Sequence, residues 1–196
     1  MSERRCDMPR GPREVEENAI VNVVSRGNNK RLIFRKEKDY IYYKTLLMRY
    51  LARYKLKLYH YCLMANHIHL LMKILTPTNL AKCMQSLQQA YFHYFRRKYG
   101  YVGRFWQGRF YSKLVEDDDY LLTAGLYIER NPVKAGMVDD PSEYKWSSYN
   151  VYAYGAKDSL VTLNLYYIGL GNNDIERRRE YIKLMWSYLS SENRML

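Results

Sequence analysis

His67 and His69 are separated by one residue in the run Asn66-His67-Ile68-His69-Leu70-Leu71. In an extended chain side chains alternate between faces, so the two imidazoles point the same way, about 7 Å apart at the usual rise, while Ile68, Leu70 and Met72 point to the other side. Two imidazoles so placed can share one divalent cation. They can equally be satisfied polar groups on a solvated sheet face. A structural zinc that adds Cys62 is a third option, although no fourth ligand has the required spacing. Tyr127 and Asn131 form a second constellation. On a helix they stand i and i+4, one above the other on a face continued backward by Ala124 and Tyr120, with Glu129 pointing elsewhere. A phenol one turn from an amide oxygen can act as a nucleophile beside a metal ligand. The chain holds 22 tyrosines, and a helix tyrosine is ordinarily core, so spacing alone does not lift Tyr127 above its neighbours.

Charge supplies the third signal. The 196 residues carry 32 Lys plus Arg against 20 Asp plus Glu, a formal net charge of +12. Tyr40 to Val115 contains no acidic residue and 13 basic ones, which leaves the rest of the chain at −1. One block therefore carries the whole excess, and a polyanion is the first partner to consider. Within it Arg96, Arg97, Lys98, Arg104 and Arg109 interleave with Tyr99, Tyr101, Phe105, Trp106 and Tyr111, joining phosphate neutralisation to rings on which unpaired bases can stack. Trp106 and Gln107 belong to the same candidate surface. Arg26, Asn28, Lys30 and Arg31 form a second one. The competing reading is a solvated helix end with core aromatics, and Gln85, Gln88 and Gln89 read as the polar face of a helix rather than as base readers.

These groups need elements to hold them. Ile20, Val21, Val23 and Val24 read as a strand that ends in the polar turn Ser25-Arg26-Gly27-Asn28-Asn29. Tyr40, Tyr43, Leu47, Tyr50, Leu51 and Tyr54 recur at helical spacing. Leu56 to Leu63 and His67 to Ile74 are extended segments close enough for a hairpin. Leu80, Met84, Leu87, Tyr91 and Tyr94 mark a long helix ending near Gly100, and Phe110 to Val115 is a fourth strand. Glu116 to Asp119 places four carboxylates at the start of a third helix, which Pro132 closes. The order β-α-β-β-α-β-α predicts an α+β, ferredoxin-like antiparallel sheet with helices on one face, plus an additional helix and a C-terminal helical tail. Residues 1–18 read as a basic arm, 19–152 as the main domain, and 153–196 as an extension with a helix near 174–189. With 47% hydrophobic residues the chain can bury a core. Three unpaired cysteines, no apolar run of about 20 residues and no apolar leader segment predict a cytoplasmic protein without a membrane partner, nucleoid-associated where the polyanion is DNA.

Taken together, Met8-Pro9-Arg10-Gly11-Pro12-Arg13, Ser25-Arg26-Gly27-Asn28, Leu63-Met64-Ala65-Asn66-His67-Ile68-His69-Leu70-Leu71, Trp106-Gln107-Gly108-Arg109-Phe110, Tyr127-Ile128-Glu129-Arg130-Asn131-Pro132-Val133-Lys134-Ala135-Gly136 and Trp146-Ser147-Ser148-Tyr149 are similar in order and spacing to REP-associated tyrosine transposases. These belong to the single-tyrosine HUH, insertion-sequence-200-like family. The resemblance runs from about Met8 to Tyr152. It implies that His67 and His69 bind a divalent metal ion, Mg or Mn, that Asn131 is its third ligand and that Tyr127 is the nucleophile. Asn22 stands where many relatives have a histidine, and Ala65 replaces the usual hairpin proline. Met8 matches the usual family start, so Met1 to Asp7 is expected to be an extension from an upstream start codon.

The activity implied is that of a metal-dependent single-stranded DNA endonuclease and strand transferase acting on hairpin-forming repeats through a 5′-phosphotyrosine, as a monomer or homodimer. Two other readings compete: a catalytically silent hairpin-binding protein, and an RNA-binding ferredoxin-like module. The latter lacks an RNP-like strand.

Overall fold

In the computed structural model, which describes residues 16–76, 79–115 and 120–192, the β-branched run after Ala19 forms β1 (Ile20–Arg26). It is followed by α1 (Glu37–Arg53), β2 (Leu56–Met64), β3 (His67–Ile74), α2 (Asn79–Tyr99), β4 (Tyr111–Val115) and α3 (Tyr120–Glu129). The strands make one antiparallel sheet in the order β2-β3-β1-β4. The expected β-α-β-β-α-β-α order holds. The basic arm up to residue 15 and the Glu116 to Asp119 carboxylates lie outside the described residues.

Alternation sorts the sheet into two faces. Val21 and Val23 on β1, Ile68, Leu70 and Met72 on β3, and Leu58, Tyr61 and Leu63 on β2 pack with Tyr43, Leu47 and Leu51 of α1 and Met84, Leu87, Tyr91 and Phe95 of α2. The helical stripe of α2 ends on Phe95 rather than Tyr94, because the Tyr94 hydroxyl donates to Asp39 (2.9 Å) at the start of α1. The two crossover helices α1 and α2 share one face of the sheet, as expected. Cys62, Met64 and Leu71 make the opposite face apolar as well, and α3 buries it with Leu121, Ala124 and Ile128. Burial of both faces therefore requires the additional helix to sit opposite the two crossovers.

An irregularity in β2 adjusts what reaches that second face. The register with β3 shifts between Leu58 and His60. The extra residue lets Tyr59 join the α3 side while Leu58 and Tyr61 both stay on the α1–α2 side. His60 thereby also faces α3. Gly125 of α3 is required there: a β-carbon at that position would lie 2.6 Å from the His60 ring.

Two local expectations differ in detail. Ser25 and Arg26 are the last residues of β1 rather than the first of a turn, since both keep their partners on β3, Ile68 and His67. Pro132 does not stop the chain's helical course. After Arg130 at φ −77°, ψ −12°, a short helix α4 (Asn131–Lys134) begins, and proline fits its first turn, where no N–H is required. The remainder adds α5 (Tyr149–Tyr154), α6 (Leu165–Ile168) and α7 (Asp174–Glu192), packed through Tyr149, Tyr152, Tyr167, Tyr181 and Met185 against Leu126 of α3. Among the described residues, no helix is long and apolar enough to cross a membrane. Cys62 and Cys83 are buried free thiols.

Candidate active site

The β3 register puts His67 opposite Arg26 and Met64, and His69 opposite Val24 and Cys62. The two imidazoles do share a face, with ring centroids 5.0 Å apart and planes near perpendicular. Burial, helped by the neighbouring Arg26 charge, pulls the pKa of His67 down to about 4. Burial, then His67 and Arg26, pulls that of His69 down to about 3. Both rings are therefore neutral at physiological pH and keep their lone pairs. Asn66 Oδ1 lies 2.6 Å from His67 Nδ1. A carbonyl oxygen only accepts, so Nδ1 carries the hydrogen and Nε2 is left with the lone pair. On His69 both ring nitrogens are buried with no hydrogen-bond partner among the described residues. Leaving such a group unpaired costs on the order of 1–3 kcal/mol, a cost that a bound cation would offset.

Among the described residues, no third histidine, cysteine or carboxylate gathers with the pair. Cys62 packs with Leu71, Ile128 and Tyr144. Burial, reinforced by the charge of Glu129, pushes its thiol well above the ordinary range. No group of three such ligands forms around it among the described residues, so the zinc reading has no support here. Two neutral imidazoles suit a divalent cation, and an oxygen donor from outside β3 would complete the set.

α3 brings the other constellation to the same place. The Tyr127 ring stands edge-on to His69, with centroids 6.3 Å apart, and is 37% exposed, open to a substrate. Asn131 turns both amide hydrogens back to α3, donating to Tyr127 O (2.9 Å) and Ile128 O (3.0 Å). These are carbonyls a helix end leaves without partners. Oδ1 is thereby turned away from the helix. Arg130, buried, places its guanidinium 5.0 Å from the Tyr127 ring centre and 4.9 Å from that of Tyr188 on α7.

The two basic segments converge next to the histidines. Gly27 bridges to Trp106, Asn28 N–H donates to Phe105 O (2.8 Å), and Gln107 N–H donates to Arg26 O (2.9 Å). Gly27 is required where the chain turns after β1, because a β-carbon there would collide with Arg31 O. Arg31 stacks on Tyr101 at 4.2 Å, and Lys30 is exposed. Trp106 donates from Nε1 to Gln88 O (3.0 Å), which spends the indole nitrogen on holding the loop to α2. Arg96, Arg97, Arg104, Gln107 and Arg109 are exposed. Lys98 stands apart from these. It ion-pairs with buried Asp39 at 2.6 Å and donates to Tyr94 Oη, which joins the end of α2 to the start of α1. Arg35, on the rings of Phe95 (5.1 Å) and Tyr99 (4.8 Å), belongs to this surface and was not foreseen.

A buried polar cluster behind Tyr127 also escaped sequence reasoning. Glu129, the single charged residue of α3, is fully buried. Its Oε1 accepts from Ser148 Oγ (2.5 Å) and lies 2.9 Å from His60 Nδ1, and its Oε2 accepts from Tyr181 Oη (2.6 Å). Asn164 Nδ2 approaches His60 Nε2 at 3.1 Å, and its Oδ1 accepts from Tyr167 N–H (2.9 Å). The one available signal was that lone carboxylate in an otherwise uncharged helix.

Comparisons with known proteins bear on the family and the fold. A curated Haemophilus influenzae protein with the provisional name REP-associated tyrosine transposase is 33% identical over 100 residues, 45% of this chain and 56% of its own length. The chain thus spans little more than half of that relative. A solved structure of a REP-associated tyrosine transposase bound to a REP hairpin shares the fold, with TM-score 0.65 at 15% identity over 81% of this chain and 93% of its own. The family model described as "Transposase IS200 like" matches residues 16–131, a stretch that takes in both histidines and Tyr127 and ends on Asn131. Chain order, fold and matched residues agree, and the chain belongs to the IS200-like transposases, the tyrosine HUH family.

Proposed function

We propose that this protein cuts and rejoins single-stranded, hairpin-forming DNA, with Tyr127 as nucleophile and His67, His69 and Asn131 as the holders of a divalent ion. The observation that carries the reading is the approach of the Tyr127 ring to His69 at 6.3 Å within one chain. An ion so held supplies charge neutralisation at the non-bridging oxygens of the scissile phosphate. Imidazole and amide donors suit Mn²⁺ at least as well as Mg²⁺.

The chain's own groups do the rest. Arg26, Arg31, Arg35, Arg96, Arg97, Arg104 and Arg109 draw the DNA backbone to the end of β1, and Tyr101 and Trp106 frame the same surface. Asn28, Lys30 and Gln107 flank it, and Lys98 contributes charge while it holds the helix ends together. Tyr127 Oη attacks phosphorus, the P–O3′ bond breaks, and the departing 3′ oxygen takes up a hydrogen equivalent to the one the phenol loses. A 5′-phosphotyrosine and a free 3′-OH remain. Attack by a second 3′-OH reverses the step and joins strands without water or a nucleotide cofactor.

The test is incubation of labelled hairpin DNA with the protein and Mn²⁺, followed by denaturing electrophoresis. A covalent adduct is expected that Tyr127→Phe abolishes and that His67→Ala or His69→Ala makes metal-insensitive and weak. Hairpin binding without any adduct would instead support the silent-binder reading.

A further inference from the structure

The cluster around Glu129 is built from two parts of the chain. Glu129 belongs to α3 and His60 to β2, inside the stretch matched by the family model, whereas Ser148, Asn164 and Tyr181 lie beyond its end at Asn131. Every polar atom has a role. Asn164 Oδ1 is fixed by Tyr167 N–H, so Nδ2 faces His60 Nε2 as a donor. His60 Nδ1 then carries the hydrogen and donates to Glu129 Oε1. Two hydroxyls, one on each oxygen, complete the carboxylate's shell. The His60 ring is stacked on Tyr152 at 4.2 Å and presses on Gly125, leaving α3 no room to slide toward the sheet.

Tyr127 and Glu129 are two residues apart, so their side chains leave α3 in directions about 200° apart. Whatever fixes Glu129 fixes the rotation of the helix about its axis, and with it the direction in which Tyr127 points. A rotation of roughly 10° moves the end of a long side chain by ~1 Å, and a displacement of that size in a reacting group costs on the order of 100-fold in rate. On the other flank, Arg130 sits between Tyr127 and Tyr188, a second tie from α7 to the same helix.

We infer that Glu129, held by His60, Ser148 and Tyr181, is the positioning residue for Tyr127, and that the C-terminal segment serves strand transfer by aiming that tyrosine at the histidine pair of its own chain. The inference rests on the functional reading above and adds residues to it.

The experiment compares Tyr181→Phe, Ser148→Ala and Ser148→Thr with Tyr167→Phe. Tyr167 provides the control because its hydroxyl is also buried in the C-terminal segment but donates to Tyr152 O (2.8 Å) and not to Glu129. Single-turnover adduct formation at saturating hairpin DNA and Mn²⁺ is measured together with hairpin affinity and thermal midpoint. Tyr181→Phe and Ser148→Ala are expected to slow adduct formation about 10-fold or more with unchanged hairpin affinity, Ser148→Thr to restore it, and Tyr167→Phe to stay close to wild type. Fluorotyrosine at position 127 gives a second readout in the intact chain: its ¹⁹F resonance should broaden or shift in Tyr181→Phe and not in Tyr167→Phe. Wild-type rates and resonances in Tyr181→Phe and Ser148→Ala overturn the inference. So does slowing that merely follows the folded fraction. Absence of a wild-type adduct, or an adduct that survives Tyr127→Phe, overturns the functional reading instead.

Discussion

At the scale of residues, the site depends on groups whose orientation is fixed before any ligand arrives. Asn66 selects the tautomer of His67 through a 2.6 Å contact, and such partners of a ligating imidazole typically contribute 10- to 100-fold in metal affinity. Asn66→Ala is accordingly expected to raise the Mn²⁺ concentration for half-maximal adduct formation by about 10-fold, while hairpin affinity measured without metal stays the same. A metal titration of adduct yield checks it. The histidine pair was legible in the sequence because strand alternation is a local rule, and the i, i+4 relation of Tyr127 and Asn131 is equally local. The meeting of these two pairs followed from the family resemblance and not from spacing, and the use of Asn131's amide hydrogens on α3 followed from neither. The partners of Glu129 come from His60, Ser148 and Tyr181, with Asn164 behind His60, and no periodicity relates residues so distant in the chain.

At the scale of elements, the ends of α1 and α2 are joined through Asp39. Burial alone would raise its carboxyl pKa. Hydrogen bonds from Lys98, Tyr99 and the backbone N–H groups of Arg35 and Lys36 outweigh that and hold it at about 2, against 3.8 ordinarily. A folded-state pKa below the unfolded value means stability that is present in full above pH 3.8 and is lost as pH falls through 2. The difference corresponds to about 2 kcal/mol. Asp39→Asn should therefore lower the stability measured by urea unfolding at neutral pH by about that amount, and its stability should change less than wild type's between pH 4 and 2. Element identity was mostly readable from apolar spacing. The placement of α3 opposite the crossovers was not stated by its own pattern, since a helix of ten residues with one charge has no distinct polar face. The sheet's second apolar face decides it.

At the scale of the whole molecule, the acid-free block and the basic turn after β1 become one surface because the loops after β1 and before β4 interlock at Gly27 and Trp106. Sequence gave each segment its charge, but their union and the recruitment of Arg35 are tertiary facts. DNA affinity should fall steeply with salt. Arg35→Ala or Arg104→Ala should each reduce the slope of log affinity against log salt by about 0.7 for single-stranded contacts. Lys98→Ala should chiefly lower stability, since its ammonium is paired with Asp39. Fluorescence anisotropy across a salt series distinguishes these outcomes.

The extra residue in β2 has a consequence for how this chain can change over generations. Leu58 and His60 lie opposite Met72 and Leu71, consecutive residues of β3, so loss of the Tyr59 codon leaves each on its own side of the sheet. The contact of Leu58 with Val161 and Thr162 is kept as well. Loss of Cys62 is different in kind, because every residue on one side of the gap then changes face. Chain length can therefore change by one at the bulge and is constrained along the rest of the strand. A one-residue deletion series across β2 should return folded protein for Tyr59 and none for Cys62, as read by circular dichroism.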